Sequence, residues 1–255
     1  MGRLEGMAAV VTGGASGFGK GIVEAFVREG AAAMIADIDE AKAQSLAETL
    51  RADGARAAAV RVDVLDRASL EAAVEACEAQ FGALDIMVAN AGIGQRPAAF
   101  LDTSTDVLRQ HFEVNAIGAV NSCQTAIPAL RRRAEGASIL ITVSGIALLP
   151  RPQLYGYGMA KAAALYLMKS LAQELAPERI RVNGLFPAIG DTPMLAEFAG
   201  GTRSEADERR FAEGLPLGRL ITPADVGQAA VFLSSPAEAG AMTGCALPVD
   251  AGRCL

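Results

Sequence analysis

"TGGASGFGKG", residues 12–21, decides how this chain folds. It continues the apolar run "MAAVVT" (7–12) and opens a helical pattern over 18–29. Three glycines, Gly13, Gly17 and Gly19, stand where strand turns into helix. Without side chains they let the backbone turn tightly and approach a phosphate at the helix N-terminus. Any tight turn uses glycine, so the cluster gains its meaning from position. It follows the first strand, opens a helix, and precedes a second strand, "AAAMIAD" (31–37), that ends on an acid, Asp37.

Outward from this turn, short apolar runs alternate with longer helical patterns. "RAAAVRVD" (56–63), "LDIMVAN" (84–90), "ASILITVS" (137–144) and "IRVNGLF" (180–186) read as further strands, with "CALPVD" (245–250) as a seventh. They are rich in Val, Ile and Ala at successive positions, as expected of strands covered on both faces. Helical patterns fill 18–29, 39–52, 67–81, 104–118 and 155–176, and "REG" (28–30) and "ADG" (52–54) supply terminal glycines. Repeated strand–helix–strand units predict an α/β fold: a doubly wound parallel sheet of about seven strands with helices on both faces. No linker divides residues 1–255, which predicts a single domain. Residues 188–217, rich in Gly, Pro and charge, have no strand-like run and read as a substrate lid.

Composition narrows the function. Of 255 residues, 51% are hydrophobic and 20% charged, and the net charge of -6 argues against a nucleic-acid partner. The basic triplet Arg131-Arg132-Arg133 reads as a solvated helix end. Four scattered cysteines and a single histidine, His111, give neither a zinc spacing nor a serine–histidine–aspartate set, so no metal is expected. The cysteines read as reduced, small apolar residues. No signal peptide and no apolar span of about 18 residues is present, so a cytoplasmic protein without membrane contact is expected.

Asp37 suits the hydroxyls of an adenosine ribose and repels a 2′-phosphate, and no basic residue stands beside it to receive one. The competing reading is a helix-capping aspartate. The expected cofactor is therefore NAD. The spacing T-G-x-x-x-G-x-G resembles the glycine motif of the short-chain dehydrogenase/reductase family, and the resemblance extends over essentially the whole chain. It implies dinucleotide contacts at Gly13, Ser16, Gly17, Phe18, Gly19, Asp37 and Ile38. "VDV" (62–64) is similar to the adenine-edge contact, with Asp63 toward the base amino group and Val64 against the ring. "NAG" (90–92) resembles the end of the N-N-A-G motif, implying Asn90, Ala91 and Gly92 near the cofactor, with Ala89 in place of the first asparagine. "LFPAIGDTPM" (185–194) resembles the segment beside the nicotinamide. Pro187 and Thr192 match, Ala188 replaces a glycine, and Gly190 stands where a branched residue is usual, departures that widen the pocket.

"YGYGMAK" (155–161) carries the chemistry. Tyr157 and Lys161 are four residues apart, so on a helix they differ by about 40° and share a face. Tyr155, six residues before Lys161, points about 240° away. A tyrosine with pKa near 10 is a poor base at neutral pH, and a nearby ammonium favours its phenolate. Ser144 lies thirteen residues before Tyr157, the interval at which the resembling family pairs its serine and tyrosine. Asn115, in "HFEVNAIG", matches the fourth catalytic position, implying an irregular helix turn and a water-mediated hold on Lys161. Gly156 and Gly158 leave room above the Tyr157 hydroxyl.

Together these predict hydride transfer between NAD(H) and a secondary alcohol or ketone, with Ser144 and Tyr157 on the substrate and Lys161 also holding the nicotinamide ribose. A noncatalytic NAD-binding regulator and a sugar epimerase are the alternatives. Pocket walls are expected from Ile146, Leu148, Leu154, Gln95, Arg96, Met194, Leu195 and Phe198, a mostly apolar set that suits a neutral alcohol. Arg96 or Arg151 could bind an anion, although exposed loop arginines are usually solvated. His111 reads as packing or surface. The family resemblance implies a homotetramer or homodimer, and "AAALYLMKSLAQELA" after Lys161 is apolar around more of its girth than one core stripe requires.

Overall fold

The structure, a computed structural model, describes residues 2–133 and 136–255. Among these, seven strands form one sheet: β1 (Ala8–Thr12), β2 (Ala32–Asp37), β3 (Ala57–Arg61), β4 (Ile86–Ala89), β5 (Ser138–Thr142), β6 (Arg181–Pro187) and β7 (Ala246–Val249). The order is β3-β2-β1-β4-β5-β6-β7, with every pairing parallel. All seven expected strands are present, each within two residues of its expected bounds. The chain reverses its direction of progress between β1 and β4, and such a switch opens a crevice at the carboxyl ends of the strands.

The crossover helices are α1 (Gly17–Arg28), α2 (Glu40–Ala52), α3 (Arg67–Phe81), α4 (Thr105–Phe112), α5 (Gly118–Leu130) and α6 (Tyr155–Leu175). After β6 come α7 (Leu195–Phe198), α8 (Glu205–Glu213), α9 (Pro223–Ser234) and α10 (Pro236–Ala239). Gly30 and Gly54 follow α1 and α2 with φ of 88° and 85°, a left-handed conformation that lets the helices stop.

The apolar runs are explained by two cores, one per face. Ala8 and Val10 of β1 join Met34, Leu70, Met87 and Ile139 under α3, α5 and α6. Ala9 and Val11 join Ile22, Phe26, Leu46 and Val226 under α1, α2 and α9. Helices α1 and α9 meet at Gly21 and Gly227, where a Cβ on either glycine would overlap the backbone of the other helix. Arg181, buried at the start of β6, donates to the carbonyls of Leu233, Ser234 and Ala239, joining the end of α9 to α10.

Two expectations are corrected. The helix expected over 104–118 is α4 and α5 joined by a π-helical turn, Glu113–Ile117, and it runs on to Leu130. The basic triplet at its end is not merely solvated: Arg131 pairs with Glu178, Arg132 with Glu78 at 2.6 Å, and Arg133 with Asp85 at 2.7 Å. Among the described residues no helix is long and apolar enough to cross a membrane.

Candidate active site

At the carboxyl end of β1 the chain turns through Gly13 and Gly17 with φ of 62° and 51°, values that favour glycine. A Cβ on Gly19 would overlap the Gly13 carbonyl, so the third glycine lets α1 pack onto the turn. The Ser16 side chain makes no capping bond to α1, which leaves the first helical amides free to bond an anion at this end. The Asp37 carboxylate accepts the N–H groups of Ala15 and Asp39, each at 3.0 Å, and so holds the glycine turn against the end of β2. The cap of α2 is Asp39, which accepts the Lys42 N–H, so Asp37 is not that helix's cap.

Asn90 locks the switch point. Its amide donates to the carbonyls of Thr12 and Gly13, and its side-chain oxygen accepts the Thr142 hydroxyl at 3.0 Å. The ends of β1, β4 and β5 are thereby tied together. Asp63 turns its carboxylate onto the Leu65 N–H, and Val64 packs against Gly118.

These parts surround a cavity of about 890 Å³. Every residue expected at the dinucleotide lines it: Gly13, Ser16, Gly17, Phe18, Gly19, Asp37, Ile38, Asp63, Val64, Asn90, Ala91, Gly92, Tyr157, Lys161, Pro187, Ala188 and Thr192. Turn, uncapped helix amides and terminal acid together fit an adenine dinucleotide.

Ser144, Tyr157 and Lys161 converge on this cavity from two elements. Ser144 lies two residues past β5 and caps a short 3-10 turn, accepting the Ile146 N–H. Tyr157 and Lys161 share one face of α6, with the ammonium 5.7 Å from the phenol ring centroid. Burial pushes the Tyr157 phenol up to about 12, opposed by a side-chain hydrogen bond from Ser144. Burial also brings the Lys161 ammonium down to about 8. Lys161 donates to the Thr142 carbonyl at 2.7 Å. Desolvation therefore raises the phenol here, where a lowering by the lysine was expected. Tyr155 begins α6 and packs edge-on against Phe100, away from the lysine.

Asn115 sits in an irregular helix turn, as the resemblance implied. It is 2% exposed and does not line the cavity. In the π-helical turn it donates to the freed His111 carbonyl and to the Ile93 carbonyl, and accepts the Ile93 N–H at 3.0 Å. It sits behind Gly92, where a Cβ would meet its side-chain oxygen and approach the Lys161 ammonium. Its position is that of a support for the 91–93 backbone beside Lys161.

Three further expectations change. Gly156 does not make room for substrate, because a Cβ there would press on His111 and Gln95, so this glycine seats α6 against α4. The missing side chain at Gly190 does not widen the cavity, because the Phe18 ring fills that place. Leu148 is exposed and lines neither cavity at this site. The other wall residues, Ile146, Leu154, Gln95, Arg96, Met194, Leu195 and Phe198, do line a cavity. His111 is buried and also lines the larger cavity, with burial lowering its basicity.

Gln95 has a role that no local signal announces. Its side-chain oxygen accepts the Tyr157 N–H at 2.9 Å, and its amide reaches the Gln153 carbonyl. Phe198 of α7 covers the other side, edge-on to Tyr157 at 5.3 Å. The ion pair Arg96–Glu197, at 3.3 Å, links α7 to the loop after β4.

Comparison with known proteins shows the family of the chain. A family model described as enoyl-(acyl carrier protein) reductase matches residues 13–253. A 4-formylbenzenesulfonate dehydrogenase of Comamonas testosteroni is 39% identical over 251 residues, covering 98% of this chain and 99% of its own. A cis-4-hydroxycyclohexanecarboxylate dehydrogenase of Sinomonas cyclohexanicum is 35% identical, covering 96% and 95%. Among solved structures, a 3-ketoacyl-(acyl-carrier-protein) reductase from Brucella melitensis complexed with NADH superposes with a TM-score of 0.90, at 38% identity over 99% of this chain and 100% of that one. The chain belongs to the short-chain dehydrogenase/reductase family of oxidoreductases.

Proposed function

We propose that the protein transfers hydride between NAD(H) and a secondary alcohol or ketone carbon of a small molecule. The observation that carries this reading is the meeting of Ser144, Tyr157 and Lys161 on the wall of the cavity that begins at the glycine turn. Bound there, a nicotinamide dinucleotide supplies the hydride acceptor or donor.

The chain's own groups handle the proton. Ser144 bonds the substrate oxygen, and Tyr157 takes the hydroxyl proton in oxidation or returns it in reduction. A buried phenol pushed up to about 12 is a neutral donor, suited to protonating a carbonyl oxygen as hydride arrives. Oxidation asks the phenol to ionise, which the Lys161 ammonium and the positive charge of an oxidised nicotinamide both favour. Asn115 keeps the 91–93 backbone in place beside Lys161 and acts as a positioning residue.

Asp37, followed by Ile38 and not by a basic residue, supports NAD over NADP, since a carboxylate there repels a 2′-phosphate. The names of two relatives carry a formyl or hydroxyl carbon on a six-membered ring, which supports a ring alcohol or carbonyl as substrate. Residues 188–217 serve as the lid of a single catalytic domain, a reading supported by Phe198 on Tyr157 and by the Arg96–Glu197 pair. Tyr166 and Met159, 77% and 52% exposed on α6, support a homotetramer or homodimer, which sedimentation would test.

The deciding experiment follows NADH absorbance with purified protein and a panel of cyclic alcohols, polyols, steroids and hydroxy acids. Turnover of a ring alcohol that disappears in Tyr157→Phe supports the reading. Tight NAD binding without turnover of any of them would overturn it in favour of a noncatalytic NAD-binding protein.

A further inference from the structure

Beyond Ser144 and Tyr157 lies a second cavity, of about 390 Å³, sharing those two residues, Pro97, Ala188, Ile189 and Phe198 with the first. Its size falls in the ~300–1,000 Å³ range of small-molecule sites. Three arginines line it, Arg151, Arg210 and Arg253, and none of its lining residues is acidic.

The three are not equivalent. Arg210 has a carboxylate partner, Asp207 at 2.8 Å, and stacks on Phe211. Among the described residues Arg253 donates to a neutral group, the Gly214 carbonyl at 3.1 Å, and has no ion pair. The nearby Asp250 carboxylate is engaged with the N–H groups of Gly252 and Cys254. Among the described residues Arg151 has neither ion pair nor hydrogen bond, and Arg96, the other arginine considered for an anion, is already paired with Glu197. Arg151 and Arg253 are exposed to solvent, and partial desolvation and the Arg253 charge lower the Arg151 guanidinium from its ordinary value. Like charges held together without a counter-charge repel, and an anion between them relieves that repulsion. Arg151 and Arg253 come from segments about a hundred residues apart, so no local turn forces them together.

We propose that Arg151 and Arg253 form a subsite for an anionic group, a carboxylate or sulfonate, carried on the substrate across an apolar body from the carbon that reacts at Tyr157. Ile146, Leu149 and Leu154 supply apolar wall between the hydroxyls and the guanidiniums. A guanidinium offers paired N–H donors that match both anions. This replaces the neutral alcohol expected from sequence and rests on the hydride-transfer reading for where the other end of the substrate lies.

The test pairs isosteres. Calorimetry with NADH-saturated protein compares cyclohexanecarboxylate with cyclohexanecarboxamide. The carboxylate should bind at least tenfold more tightly, and the preference should shrink as salt rises. In Arg151→Gln/Arg253→Gln the preference should vanish while amide binding holds, with an unchanged melting curve reporting an intact fold. Equal binding of the two probes to the unaltered protein, or a preference that survives in the double variant, overturns the subsite. In parallel, oxidation of 4-hydroxycyclohexanecarboxylate and its carboxamide should differ in KM and converge in the double variant. A carboxylate preference lost in the double variant, with no turnover of either alcohol, would sustain the subsite and count against hydride transfer alone.

Discussion

The side-chain oxygen of Gln95, in the loop after β4, accepts the backbone N–H of Tyr157 at 2.9 Å. Tyr157 is the third residue of α6, whose own N-cap, Leu154, has no side-chain acceptor. Gln95 thus caps the helix from outside and fixes the height of the tyrosine above the cavity floor.

Gln95→Ala should leave the Tyr157 N–H buried without a partner, at about 1–3 kcal/mol of stability. If Gln95 positions the tyrosine, kcat falls while NADH affinity is retained. A variant that melts earlier but keeps wild-type kcat would reduce Gln95 to a structural cap.

Lys161 is charged at neutral pH against the opposition of its surroundings. Burial lowers it from 10.5 to about 8, equivalent to about 3 kcal/mol against the ammonium. Between pH 8 and 10.5 the unfolded chain holds a proton that the folded chain has released, so this penalty fades as pH rises through that window. Lys161→Met should therefore be more stable than the unaltered protein at pH 7, inactive, and progressively closer to it in stability toward pH 10. Denaturant melts across that range would show the convergence, and a gap that widened with pH would contradict it.

Tyr157→Phe removes one hydroxyl from a site whose packing partners, Phe198 and Gln95, contact the ring and backbone. Turnover should fall by at least 10³-fold, within the usual contribution of general acid–base catalysis combined with lost orientation. NADH binding, read by fluorescence, should change less than threefold.

Asp37→Ala should narrow the preference for NAD over NADP, measured as the ratio of the two KM values. The loss of bonds to the Ala15 and Asp39 N–H groups should also loosen the glycine turn, seen as an earlier melt that NAD partly restores. An unchanged NAD/NADP ratio would remove the basis for choosing NAD.

Gly190 has no space for a side chain because the Phe18 ring occupies it and the Ile221 carbonyl oxygen lies 2.9 Å from where a Cβ would be. Gly190→Val should weaken NADH binding by at least tenfold by displacing Phe18 from the cavity wall. Phe18→Ala in that background should recover part of the loss, and a Gly190→Val protein binding NADH normally would show that the wall yields.

Much of this was legible locally. Strands buried on both faces, glycine turns and four-residue spacing on a helix are written in neighbouring residues, so β1, the Gly13–Gly19 turn, Asp37 and the shared face of Tyr157 and Lys161 can be read directly. A resemblance of motifs extended that reading to Asn90 and Ser144. Other relationships join segments distant in sequence, where periodicity carries no information. The place of Asn115 behind Gly92, the filling of Gly190 by Phe18, the Gln95 cap and the meeting of Arg151 and Arg253 at one cavity were decided by tertiary packing. The sequence alone determined which groups can do chemistry, because that depends on residue type and short spacing. Their depth of burial, their partners and the charge lining the second cavity were set only when the loops beyond the sheet closed over one another.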